Sequence, residues 1–140
     1  MSRSFLAIVA GLVVVLTACA DGEAFSLDVG DCFDDPDGGG QTVESVAVVD
    51  CDQPHDNQVF ATFEIVGGSW PGADQVEEDA EDGCLERFED YVGTPYLESD
   101  LLASAFWPSE DSWEAGDREV ICFVYDPAGP VTGSLEGANR

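Results

Sequence analysis

Cysteine is the residue type whose positions in this chain most clearly specify chemistry. Leu16, Thr17, Ala18 and Cys19 close a short apolar run and have the form of a bacterial lipobox. In that motif the cysteine thiol is the nucleophile that takes a diacylglyceryl group, and cleavage before it leaves the lipidated cysteine as the first residue. Two or three buried acyl chains of palmitate type hold a protein stably at a membrane, as one chain does not. The expectation is a lipid anchor at Cys19 in the cytoplasmic membrane, with the rest of the chain on its extracytoplasmic face. The leader before it carries Arg3 and an apolar stretch from Phe5 to Leu16. That is the pattern of a signal peptide, and it is shorter than the roughly 20 residues that a bilayer core demands.

The remaining cysteines, Cys32, Cys51, Cys84 and Cys122, form an even set, which outside the cytoplasm implies disulfides. Four cysteines allow three connectivities. The preferred one joins Cys32 with Cys51, which bracket one strand-like segment, and Cys84 with Cys122, which would staple a helix to a strand; spacing alone leaves the other two open. No pair has CxxC spacing and His55 is the only histidine, so no zinc site, redox pair, metal or cofactor is assigned.

Candidate catalytic groups fail one by one. A hydrolase would pair His55 with Asp56 and a serine such as Ser69 or Ser112, but neither triad spacing nor a GxSxG elbow is present. His55 is expected to hydrogen-bond locally in the turn after Cys51. Among thirty acids, paired carboxylates carry no information. Asp35, Asp37, Gly38 and Glu44 sit at EF-hand positions, yet Phe33 occupies the first ligand position and Pro36 intrudes. An EF-hand is excluded, and a looser carboxylate site for calcium is the surviving cation alternative. No catalytic residue is assigned and a non-enzymatic binding role is expected, with His55, Trp113 and Arg118 as candidate binding residues. The ordinary reading of Trp70, Trp107 and Trp113 is core or turn packing. The alternative is a cell-envelope enzyme or carbohydrate-binding accessory, which requires His55 and Trp113 to converge in one pocket.

Cleavage before Cys19 of a 140-residue chain leaves 122 residues, enough for one compact domain. The chain has 30 Asp plus Glu against 4 Arg and no Lys, a formal charge of −26. Such a surface repels phosphates and anionic headgroups, which argues against nucleic acid as a partner. An acidic solvated face is the plain reading.

The elements that must position these groups are those of a small α+β domain, a mostly antiparallel sheet of four to five strands with one packed helix and two disulfides. Strands are expected at Gly30–Phe33, around Val43 to Val49, at Val59–Val66, at Leu101–Trp107 and at Glu119–Tyr125. Apolar residues on both sides mark 101–107 as an interior strand, paired with 119–125 as a hairpin across a long acidic loop. The helix is expected over Gln75–Val92, with Asp74 as N-cap, Glu77 completing a capping box and Gly93 as the stop. Val76, Ala80, Cys84, Leu85, Phe88, Tyr91 and Val92 define its inner side, and the outer side carries like-charge pairs such as Glu77 with Glu81 and Glu86 with Asp90. Val131–Leu135 is a possible last edge strand.

The order of these segments resembles the septum-formation domain of actinobacterial envelope proteins. Val29 to Phe33 is similar to its opening, and Cys51, Asp52, Gln53, Pro54 and His55, followed by Gln58, Val59 and Phe60, to its Cys-Pro-His segment. Pro108, Trp113, Gly116, Asp117, Arg118 and Cys122, then Thr132 to Leu135, are similar to its closing part. The resemblance implies an exported, disulfide-bonded domain linked to septum formation, with an envelope or division protein as its partner and no established catalytic residues. The expected organisation is a lipoprotein signal peptide over 1–18, a lipid-anchored tether over 19–25, the septum-formation-like domain over 26–135 and a flexible tail over 136–140.

Overall fold

Branched and aromatic residues alternate across two long antiparallel strands that form the centre of the sheet. The structure, a computed structural model, describes residues 26–35 and 46–140. Cys19, the 1–18 leader, the 19–25 tether, Val43 and the Asp37, Gly38 and Glu44 positions lie outside the described residues. The strands are β1 (Cys32–Phe33), β2 (Val48–Val49), β3 (Asn57–Glu64), β4 (Leu102–Phe106) and β5 (Glu119–Tyr125), in the order β2-β1-β3-β5-β4. Every pairing is antiparallel. With helix α1 (Ala73–Val92) on one face, this is the expected α+β sheet of five strands, supplemented by a short helix α2 (Glu110–Glu114).

The β3–β5 ladder runs from Asn57 opposite Tyr125 to Glu64 opposite Glu119, with an irregularity between Val59 and Ala61. The extra residue there is Phe60, which joins the helix-side core with Ala61 while Val59 serves the opposite face. Phe60 meets Phe88 of α1 edge-to-face at 5.8 Å. On the opposite face Phe33, Phe106 and Phe123 pack with Val59, Ile121 and Leu27.

Helix α1 begins two residues earlier than expected. Its N-cap is Gly72, with φ 106° and no side-chain cap, so Asp74 is not the cap. Asp74 stands in the first turn, where its charge meets the positive end of the helix dipole. Gly93 ends the helix in the left-handed conformation at φ 87°, as expected, its N–H donating to Glu89 O at 2.8 Å. Gly83 faces inward where a Cβ would lie 2.2 Å from Cζ of Phe63. Leu85, expected on the inner side, is 40 % exposed at the rim of the helix.

Both disulfides follow the preferred pairing. Cys32–Cys51 ties β1 to the turn after β2, and Cys84–Cys122 staples α1 to β5. With the partners 19 and 38 positions apart in sequence, loop closure stabilises the fold by about 3 and about 4 kcal/mol in the chain-entropy account.

Three further expectations are corrected. The strand at 101–107 pairs with β5 as expected but lies at the sheet edge; the apolar residues that made it read as interior pack on α1 on one face and on Phe33 and Phe123 on the other, which does not depend on a second neighbouring strand. Val131 forms one bridge with His55 instead of opening a strand over 131–135. The segment expected as a flexible tail is tied to the body: Gly137 N–H donates to Tyr91 O at 2.8 Å, Asn139 N–H to Val92 O at 2.9 Å, and Arg140 pairs with Asp126.

Candidate functional site

Chemistry-bearing residues gather at the two ends of β3. At its start, the turn through Cys51 and Gln53 brings His55 beneath the C-terminal segment. His55 is fully buried, its backbone exchanging two 2.9 Å hydrogen bonds with Val131. Its Nδ1 lies 2.9 Å from Gln53 O, which is the local hydrogen bond expected in this turn; a carbonyl partner requires the proton on Nδ1. Nε2 is buried without a hydrogen-bond partner among the described residues.

The residue that organises this end is Gln58, which the sequence places at the head of an apolar run and which is buried. Its Nε2 donates to Gly30 O and to Ser134 Oγ, each at 3.1 Å, and Oε1 accepts from Leu135 N at 2.6 Å. Gly30 turns at φ 99°, a conformation that favours glycine, and its N–H donates to Val59 O at 2.9 Å. Gly133 N–H donates to Cys51 O at 2.6 Å. Three segments distant in sequence, the opening turn, the Cys51–His55 turn and 131–135, are thus fastened on one amide side chain. The signal in the sequence was a long polar residue among Asn57, Val59 and Phe60, whose interior position demands hydrogen-bond partners. Nearby, burial is the largest influence raising the pKa of Tyr91, opposed by Ser134 and reinforced by Glu136.

At the other end of β3, α2 forms because Ser109 and Ser112 cap it reciprocally. It carries Trp113 into the core, 2 % exposed, where the indole N–H donates to Gly68 O at 3.1 Å. Trp70 meets the ring edge-to-face at 5.5 Å. The guanidinium carbon of Arg118 lies 3.8 Å from the Trp113 ring centroid. Arg118 also donates to the carbonyls of Trp113, Asp117, Gly67 and Gly68. The arginine therefore closes the loop on itself by joining carbonyls, and the indole is its platform.

The structure brings Trp113 and Arg118 together and leaves His55 apart from them. His55 precedes β3, whereas Gly67 and Gly68 follow it, and the eight residues of that strand span about 25 Å. The single pocket that the enzyme or carbohydrate alternative requires is not formed by His55 and Trp113.

Among the described residues no group of three or more His, Cys, Asp or Glu side chains is arranged to hold a metal ion, and no helix is long and apolar enough to cross a membrane. Acids cover the outer side of α1, with Glu77, Glu78, Glu81, Asp82, Glu86, Glu89 and Asp90 all exposed. Arg87 reaches one of them, Glu86, at 3.9 Å, while its guanidinium sits 4.4 Å from the Phe63 ring centroid and donates to Gly83 O.

No curated protein and no solved structure matches this chain. A family match does exist, to septum formation over residues 17–128, and it spans the five strands and both α-helices of the described residues and all four disulfide cysteines. The chain belongs to the septum-formation family.

Proposed function

We propose that this protein is a lipid-anchored module of the cell envelope that acts in septum formation by binding another envelope or division protein, without catalysing a reaction. The family match over 17–128 carries the link to septum formation. The lipobox at Leu16 to Cys19 supports the anchor and, with it, the extracytoplasmic face of the cytoplasmic membrane. Two disulfides agree with an oxidising compartment. His55, Trp113 and Arg118 are engaged in holding turns and loops, so in this reading the surface open to a partner is the acidic, stapled scaffold around them.

Two measurements test this reading. A copy tagged through a flexible linker and imaged in dividing cells of the source organism is expected at septa; uniform membrane labelling would remove the septal role. Fractionation is expected to release Cys19→Ser into the soluble phase, and a variant that stays with washed membranes would remove the lipid anchor.

A further inference from the structure

Strand β4 ends the sheet, and among the described residues it pairs only with β5. Natural edge strands are usually blunted by charge, proline or a bulge, because their outer N–H and C=O groups can template another strand. Leu102–Phe106 reads LASAF, with neither charge nor proline, and its register against β5 has no shift. Alongside it runs a groove of about 200 Å³ between α1 and β4, walled by Cys84, Leu85 and Glu81 on the helix and by Ala103 and Ala105 on the strand, with Trp107 at one end. The small strand residues allow close approach. Leu85 and Trp107 are 40 % and 38 % exposed, and Leu97, in the short turn that leads to the strand, is 95 % exposed.

We propose that the β4 edge is the binding surface of this module and that it takes an extended, lysine- or arginine-bearing segment of a partner protein as an added strand. This rests on the reading of the protein as a binding module. Main-chain pairing with Leu102–Ala105 supplies the attachment, and alternate apolar side chains of the added strand enter the groove. Charge selects the occupant. Glu81 stands in the groove wall, Glu77, Glu78 and Asp82 extend along the same helix, and Glu98 and Asp100 precede the strand. A second copy of this chain would set a surface of charge −26 against its like, so edge-to-edge pairing of two copies is opposed. A basic segment is attracted to the same place.

The test uses full-length oxidised protein in neutral detergent with three synthetic ten-residue peptides: one alternating Lys and Val, one alternating Glu and Val, and one with five Lys followed by five Val. The Lys–Val peptide is expected to protect the outward amides of Leu102–Ala105 from hydrogen exchange and to bind at least tenfold more tightly than either of the others. Glu81→Lys and Leu85→Lys, both at exposed helix positions, are each expected to weaken it at least fivefold with unchanged circular dichroism. The proposal is overturned if the amides of 102–105 stay unprotected, if the block peptide binds equally well, or if protection arises from raising the protein concentration alone, which would mean a second copy. Septal imaging of the same Glu81→Lys variant separates the two readings: loss of peptide binding with retained septal position removes this surface and leaves the module's place in the envelope standing.

Discussion

Gln58 and Leu135, separated by 77 residues, are joined by a 2.6 Å hydrogen bond from the Leu135 N–H to the Gln58 amide oxygen. The same side chain donates to Gly30 O and Ser134 Oγ. Gln58→Leu keeps the volume and leaves the buried Leu135 N–H and the half-buried Gly30 carbonyl without their partner, so a loss of about 3 kcal/mol is expected. Thermal unfolding of the oxidised protein should show a midpoint lower by roughly 10 °C. A shift of only a degree or two would mean that the C-terminal segment is held by its apolar contacts instead.

Gly83 exists to accommodate Phe63. Gly83→Ala gains about 1 kcal/mol of helix propensity, yet its Cβ would stand 2.2 Å from the Phe63 ring. A net loss of about 1–3 kcal/mol is expected as the ring is displaced from beneath Arg87. In a Phe63→Ala background the same change should become neutral or stabilising, and urea unfolding of the four proteins of this cycle reads that reversal. The same sign in both backgrounds would contradict the contact.

Arg118 and lysine are not exchangeable at this loop. Arg118→Lys keeps the charge but cannot reach four carbonyls while lying flat on Trp113, so about 2 kcal/mol of stability should be lost. Tryptophan emission should shift to the red as Trp113 gains solvent. Full stability with Lys would show that the positive charge alone matters.

Two carboxylates tilt the pH dependence in opposite directions. The Ala128 N–H, and after it Arg140, lower the Asp126 pKa. A depressed carboxylate stabilises fully above its ordinary value of about 3.9 and loses that contribution as pH falls through the folded value. Asp126→Asn should therefore destabilise at pH 7 and be neutral near pH 2. Burial, then Asp117, Glu64 and Asp28, raise the Glu119 pKa. Its ionisation opposes folding as pH rises through the folded value, so Glu119→Gln should stabilise at pH 7 and lose that gain below about pH 4. Denaturant midpoints at the two pH values check both signs.

Local pattern made some elements readable to the residue and left lateral position unreadable. The run of Val, Ile, Phe and Tyr over 119–125 gave a strand with those bounds, and Gly93 gave the helix stop, because each follows from backbone preference. The preferred disulfide pairing rested on which elements each cysteine sat on, and the structure selects it from the three that four cysteines allow. The edge position of β4 did not follow, since burial on both faces looks alike whether neighbouring strands flank one edge or two. Asp74 was passed over as the cap because Gly72 reaches φ 106° without a side chain. Trp113 and Arg118 were readable as neighbouring candidates for binding on one loop, but their contact and their consumption by carbonyls of Gly67 and Gly68 depend on a chain reversal some 50 residues away. His55 was readable as a turn residue; the partners of Gln58 come only from the tertiary fold.

The position of Leu135 gives the order of synthesis a bearing on maturation. Gln58 precedes Leu135 by 77 positions in the chain, so its amide stays solvated until that later segment arrives. The Cys32–Cys51 bond closes a short loop and can form early, whereas the seam between the opening turn and 131–135 closes only once that later segment is present. A chain cut before 131 would keep all four disulfide cysteines and leave this seam open, with the Gln58 amide facing water in place of Ser134 and Leu135.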